Sequence, residues 1–311
     1  MTDTTSSLLL SSGDLVADRR LEFARELEAS GRPAEAADLA GQALERAPGW
    51  AAGWFLLAGF HEAAGARDRA IAAWETALAL DPDDRCGAAL RLARLGARPL
   101  PTDTTAHVRA LFDDYAPRFE AALVGSLAYR APDLIAAAIE RAAPGRRFAA
   151  ALDLGCGTGL MGRAIRARVD RLDGVDLAAE MVARARAAGG YDRLTVGGLA
   201  EDLAARPAGG LDLVTAADVL CYLGDLSETF AAIGRATMPG GLLACSVERG
   251  EAIGASEDVV IGDGLRFAHR EAHLTGAAAA AGLRPTLIET APLRLDRGRP
   301  VVGTVAVFTK T

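Results

Sequence analysis

The sequence predicts an α/β protein, a doubly wound seven-stranded sheet preceded by a small all-α domain, and three observations carry that prediction. From residue 149 onward, apolar runs of strand length alternate with amphipathic helical stretches, the pattern of a parallel sheet covered on both faces. All three tryptophans, Trp50, Trp54 and Trp74, stand before residue 80, whereas nearly every glycine-rich turn stands after residue 150, so the two parts are built differently. Sliding the first part along itself by 34 residues superposes Ala24 on Ala58, Gly31 on Gly65, Ala36 on Ala70, Ala43 on Ala77, Leu44 on Leu78 and Pro48 on Pro82. A fixed period of that length marks stacked helical hairpins.

In chain order, residues 1–16 are expected to be a flexible start, and 17–96 a helical module of two units, 17–50 and 51–84, with 85–95 as a capping helix. Trp50 falls at the junction of the units, where it is either exposed or, as preferred, core between them. Residues 97–105, ARPLPTDTT, break the helical pattern with two prolines and read as a linker. The second domain, 106–311, opens with a helix over 106–124. Its further helices are expected at 131–142, 160–168, 179–188, 227–237 and 270–281. Strands are expected at 149–154, 172–176, 193–196, 211–216, 241–247, 284–289 and 301–309.

Composition narrows the function classes. The 311 residues carry 34 Lys plus Arg against 41 Asp plus Glu, a net charge of −7, which excludes a dominant role in binding a phosphate backbone. No apolar run reaches the ~18 residues of a membrane helix. The start MTDTTSSLLLSSGD lacks the features of a secretory signal, so a cytoplasmic location is expected. Cys86, Cys156, Cys221 and Cys245 have no paired spacing and read as reduced, mostly buried thiols; no metal site is expected.

The first strand ends Ala151-Leu152-Asp153-Leu154-Gly155-Cys156-Gly157-Thr158-Gly159. Alternate glycines let backbone approach a ligand, and the helix that follows points N–H groups at it. The dinucleotide fingerprint would want glycine at 160, which is Leu, so a pyrophosphate cofactor and a nicotinamide-dependent oxidoreductase are disfavoured. Asp153 would repel phosphate and attract a cation such as a sulfonium. Asp176, 21 residues after Gly155 at the end of the second strand, has the spacing of a carboxylate that accepts ribose hydroxyls. Adenosine joined to an amino-acid sulfonium satisfies both.

LDLGCGTG followed by GVDLAAEM resembles the class I S-adenosylmethionine-dependent methyltransferases. That resemblance implies a Rossmann-like sheet binding S-adenosylmethionine, with Gly155, Cys156, Gly157 and Gly159 lining the methionyl portion, Asp176 holding the ribose, and Leu177 and Met181 flanking the adenine. The family usually offers an acid to the adenine amino group after strand three, yet Gly198 occupies that place. Leu199 and Ala200 then line the adenine edge, either with the Leu199 backbone alone or with Glu201 or Asp202 reaching back.

The unit 51–84, with Trp54, Leu57, Ala58, Gly65, Ala70, Trp74, Ala77 and Pro82, resembles a tetratricopeptide repeat. With Phe112-Asp113-Asp114-Tyr115-Ala116, Leu127-Ala128-Tyr129-Arg130-Ala131-Pro132, Asp218–Asp225 and Arg266–His269, the chain is similar over almost its whole length to a bacterial group of predicted methyltransferases with N-terminal repeats. The resemblance implies a lid residue at Tyr115 and a carboxylate-binding pair at Tyr129 and Arg130. Asp218 would bond the cofactor side, Tyr222 would face the acceptor, and His269 would be a candidate base. No Asn/Asp-Pro-Pro-aromatic tetrapeptide of base-methylating enzymes is present, which argues against a DNA base as substrate. A small-molecule acceptor is expected first. The alternatives are a protein or peptide recruited by the repeats, and a non-catalytic S-adenosylmethionine-binding adaptor; the repeats could also mediate self-association.

Overall fold

The computed structural model describes residues 11–116, 119, 128–254, 257–262, 264–296 and 298–311. It divides into two units, one ending at Asp114 and one beginning at Tyr115.

The first unit holds α1 (Leu15–Ala29), α2 (Pro33–Arg46), α3 (Ala51–Ala63), α4 (Arg67–Leu80), α5 (Ala88–Arg94) and most of α6 (Thr105–Tyr115). Of the expected flexible start at 1–16, residues 1–10 lie outside the described residues, and Asp14 caps α1, its carboxylate accepting from the N–H groups of Val16 and Ala17 at 2.8 and 3.0 Å. The 34-residue period is visible as repeated local structure. Gly31 and Gly65 both take a left-handed φ, +77° and +76°, and end α1 and α3 with the same pair of bonds. These run Arg32 N–H to Leu27 O with Gly31 N–H to Glu28 O, and Ala66 N–H to His61 O with Gly65 N–H to Glu62 O. Ala24, Ala36, Ala58 and Ala70 are all 0% exposed, as small side chains must be where helices cross closely. Trp50 is buried against the position that Gly53 leaves open.

The boundary lies later than the expected linker at 97–105. His107 of α6 is buried, its Nδ1 3.1 Å from the Arg85 carbonyl, in the space left by Gly87, which takes a φ of +81°. That contact fastens the first part of the expected lid, 106–124, to the helical unit. The remainder of that segment, apart from Phe119, lies outside the described residues from 117 onward.

The second unit runs α7 (Ala131–Ala142), β1 (Phe148–Leu154), α8 (Leu160–Ile165), β2 (Val169–Asp176), α9 (Ala179–Ala188), β3 (Arg193–Val196), α10 (Leu199–Ala205) and β4 (Leu211–Ala216). It continues through α11 (Ser227–Ala236), β5 (Thr237–Arg249), β6 (Val259–Ile261), β7 (Phe267–His269), α12 (Glu271–Ala280), β8 (Leu283–Asp296) and β9 (Arg299–Lys310). The sheet has nine strands among the described residues rather than seven: the seven expected segments, plus the three-residue β6 and β7. It is mixed rather than parallel. β3, β2, β1, β4 and β5 pair in parallel, whereas β9 runs antiparallel to β5 and to β8. β7 joins the end of β5 at Glu248 and Arg249 and carries β6 as a hairpin.

Alternation along the strands feeds both faces. Leu152, Val214 and Leu243 pack with Leu203, Phe230, Ile233 and Leu274 from α10, α11 and α12. The neighbouring Ala151, Leu213 and Leu242 pack with Ile135, Ile139, Met161 and Ile165 from α7 and α8. This two-sided burial leaves the carboxyl ends of β1, β2 and β4 side by side, where such sheets take ligands.

Candidate functional site

Three glycines shape the turn after β1. Gly155, Gly157 and Gly159 have φ of +59°, +53° and +93°, conformations that side chains resist. A Cβ at Gly155 would overlap the Val219 isopropyl group, so the segment after β4 lies directly on the turn. Among the described residues the Phe119 ring lies in van der Waals contact with the Cβ position of Gly157, 3.8 Å away. Cys156 is buried, and its N–H donates to the Val175 carbonyl at 3.0 Å. The Gly157 N–H donates to Asp176 Oδ2 at 2.8 Å and the Ala178 N–H to Oδ1 at 2.9 Å, which fixes the Asp176 carboxylate beside the turn. Thr158 is buried, and its hydroxyl has no hydrogen-bond partner among the described residues.

Asp153 is 1% exposed, with Oδ2 accepting from the Tyr191 hydroxyl at 2.6 Å and Oδ1 from Thr215 at 2.8 Å. Burial pushes its carboxyl up to about 6, against the two hydrogen bonds that lower it. The carboxylate therefore braces the turn from behind instead of facing a ligand cation. Tyr191 was not singled out in the sequence. Its ring fills the space beside Gly162 and Gly174, where a Cβ would overlap it, and those two glycines were the available signal.

Leu177 is half-buried next to Asp176, but Met181 is 1% exposed and belongs to the interior, which removes it from an adenine surface. After β3, a Cβ at Gly198 would coincide with the Glu201 carboxylate, so Glu201 occupies the space of the absent acid. Asp202 is engaged elsewhere, accepting from Arg206 at 2.6 Å. Leu199 is half-buried and Ala200 exposed at the same helix start.

Tyr115 stacks edge-on against Phe119 with ring centroids 5.7 Å apart, which makes Phe119 the aromatic directly over the turn. Tyr129 is half-buried, its hydroxyl 3.4 Å from the Ala217 carbonyl, and burial followed by the Asp218 charge raises its phenol above the ordinary range. Arg130 is exposed at the entry to α7, and its backbone N–H donates to the Leu293 carbonyl at 2.8 Å. Among the described residues no hydrogen bond directs its guanidinium to the turn.

Asp218 has both carboxylate oxygens engaged: Oδ1 accepts from Ser246 at 3.3 Å and Oδ2 from Arg294. Its carboxylate is thus committed to protein partners, where a contact to the cofactor was expected. Tyr222 follows in a short 3-10 turn, and burial raises its phenol, so it keeps its proton at neutral pH. His269 lies in β7, is 0% exposed, and holds the Leu220 carbonyl near its Nε2 at 3.3 Å. Burial, then the neighbouring His273 ring stacked 5.3 Å away, lowers its imidazole to about 4. A group so enclosed anchors β7 to the turn after β4 and does not reach an acceptor.

Residues 152–245 match the model of a methyltransferase domain. The cofactor of this domain is S-adenosylmethionine. Human methyltransferase-like protein 27 is 35% identical over 136 residues, 42% of this chain and 54% of that protein, so the chain spans about half the length of this relative. Among solved structures, Burkholderia thailandensis 1,6-didemethyltoxoflavin-N1-methyltransferase, bound to 1,6-didemethyltoxoflavin and S-adenosylhomocysteine, has a TM-score of 0.51 at 19% identity, covering 68% of this chain and 92% of that one. The [4+2]-cyclase SpnF has a TM-score of 0.53 at 18% identity, covering 68% and 98%. Both share the fold. The left-handed glycine turn without side chains, the Thr158 hydroxyl and the fixed Asp176 carboxylate fit the cofactor. Among the described residues there is no cluster suited to a metal ion, and no helix is long and apolar enough to cross a membrane. All four cysteines are free thiols, and three of them are buried.

Proposed function

We propose that the chain transfers the methyl group of S-adenosylmethionine to a small-molecule acceptor, a metabolite or natural-product intermediate. The observation that carries this reading is the left-handed glycine turn locked to the Asp176 carboxylate through the Gly157 N–H. In it, Gly155 to Gly159 hold the methionyl part, Asp176 the ribose, Leu177 one face of the adenine, and Leu199 with Glu201 its edge. S-adenosylmethionine supplies an electrophilic methyl group, and displacement at that carbon asks the protein mainly for alignment and exclusion of water. Phe119 and Tyr115 cover the turn. Tyr222, protonated at neutral pH, orients the acceptor as a hydrogen-bond donor.

A small acceptor is favoured because the 3-10 turn at Tyr222 is roofed by the inserted β6–β7 hairpin, to which His269 ties it. The fold is also one that houses such molecules, as in the 1,6-didemethyltoxoflavin complex. The two N-terminal hairpins read as tetratricopeptide repeats on their 34-residue repetition of glycine ends and buried alanines, and would serve as a platform for a partner or a second copy.

The test is calorimetric titration with S-adenosylmethionine and S-adenosylhomocysteine, followed by incubation of the protein with methyl-labelled cofactor and a bacterial extract fractionated by size. Label in the small-molecule fraction is the expected result. Label in protein would move the acceptor to a polypeptide, and tight binding without transfer of label would make the domain a cofactor-binding adaptor.

A further inference from the structure

A chain of charge crosses the ends of four strands. Arg294 of β8 donates from Nη1 to Asp218 and from Nη2 to Glu248 of β5; Arg266 donates from Nε to the same Glu248 oxygen and from Nη2 to Asp296 at 3.2 Å. Arg294 is its centre and is 6% exposed. Both of its partners are distant in sequence, Asp218 and Glu248 preceding it by 76 and 46 positions. A bulge in β8 aims it there: the register with β9 shifts between Pro292 and Arg294, and bulges of this kind redirect side chains beside functional sites. The Leu293 carbonyl at the bulge is satisfied by the Arg130 N–H at 2.8 Å.

Asp218 has a φ of +56°, one of four described non-glycine residues in the left-handed region. Such a backbone persists only when its surroundings over-determine it. Here three bonds do so: Ser246 Oγ accepts from the Asp218 N–H at 2.9 Å and donates to Oδ1, and Arg294 holds Oδ2. The next residue is Val219, whose isopropyl group lies against Gly155.

We propose that Arg294 is a positioning residue for the cofactor turn, holding Asp218 in the left-handed conformation that seats Val219 against Gly155. The proposal rests on the cofactor assignment above for its binding readout, but not for its structural one. Arg294 acts through Asp218 and Val219 and touches no cofactor atom.

The test uses the full chain as Arg294→Met, Arg294→Lys and Arg294→Met combined with Asp218→Gly, with S-adenosylhomocysteine and adenosine as calorimetric probes. Amide hydrogen exchange at Cys156 and Gly157 is measured without ligand. Release of the strained backbone predicts about a tenfold loss of S-adenosylhomocysteine affinity in Arg294→Met, and a similar loss of protection at Cys156 and Gly157. Adenosine, held at the Asp176 end, keeps its affinity. Glycine at 218 takes the left-handed backbone without strain and leaves no unpaired carboxylate, so the double variant regains both readouts. Lysine lacks the planar fork that holds both carboxylates from two nitrogens, and Arg294→Lys falls between; it serves in place of Arg294→Met if that variant does not fold. Unchanged exchange at Cys156 and Gly157, parallel loss of both ligands, or no rescue by Asp218→Gly would overturn the proposal. A wild-type chain that binds neither probe would instead overturn the cofactor assignment, and the exchange data would still decide the role of Arg294.

Discussion

Replacing Tyr191 by Phe keeps the ring that fills the space beside Gly162 and Gly174 and removes only the hydroxyl that donates to Asp153 at 2.6 Å. In the folded chain the Asp153 carboxyl titrates at about 6, against an ordinary 3.8. Because the folded pKa is the higher, the folded state holds the proton more tightly. The resulting stability is complete below pH 3.8, declines as pH rises, and is gone above about 6, a loss of about 3 kcal/mol at 1.36 kcal/mol per pH unit. A hydrogen bond to a charged group contributes about 1.5–3 kcal/mol. Its removal raises the Asp153 pKa by a further 1–2 pH units or so, to about 7–8. The variant should therefore keep losing stability between pH 6 and 8, where the wild type is flat in this respect, and end about 1.5–3 kcal/mol less stable at pH 8. Urea unfolding at half-unit pH steps measures the difference between the two proteins, from which all other titrating groups cancel. Parallel stability profiles from pH 5 to 8 would refute the view that Asp153 is a buried carboxylate held charged by Tyr191.

Three further outcomes are expected. Asp176→Asn loses the charge in its bonds from Gly157 and Ala178, and S-adenosylhomocysteine affinity should fall about tenfold to a hundredfold in calorimetry. Glu201→Ala should weaken S-adenosylhomocysteine by about fivefold to tenfold while leaving S-inosylhomocysteine, which lacks the adenine amino group, unchanged, because only the former offers that donor. His269 titrates in the fold at about 4, below its ordinary 6.5, so its contribution to stability is present above pH 6.5 and is lost as pH falls toward 4. His269→Asn should lower stability at pH 7 but flatten this acid limb of the urea profile, and an unaltered limb would exclude His269 as its source.

Much of the fold was legible because its signals are local. Hydrophobic period separates strand from helix, and the 34-residue period reports equivalent contacts in successive hairpins. The turn from Gly155 to Gly159 could be read because each glycine answers to a backbone angle. Distant pairing was not legible. Asp153 was expected to face a cation, but whether a carboxylate at a strand end points forward or back depends on Tyr191 and Thr215, 38 and 62 positions away. His269 shows the same limit: its spacing from other motifs said nothing of its 0% exposure, which follows from β7 joining the end of β5. The strands β6 and β7 escaped notice because three residues carry no period, and they turned an expected loop into a roof.

An N-methyltransferase and a [4+2]-cyclase share this fold at similar TM-scores, so the fold does not by itself determine the reaction. On the proposed reading, what can determine it lies in the segment after β4 and the insertion between β5 and α12. In this chain those two pieces are not independent: His269 ties β7 to Leu220, while Arg266 joins the hairpin to Glu248 and, through Arg294, to Asp218. A substitution that reshapes the hairpin for a new acceptor would therefore also shift Asp218 and Val219, and with them the Gly155 wall of the cofactor turn. Changes of acceptor should then cost cofactor affinity unless the Arg294 bridge is kept, and variants selected for a new acceptor should retain Arg294, Glu248 and Asp218 while varying the exposed residues 252–254, 257, 258 and 264.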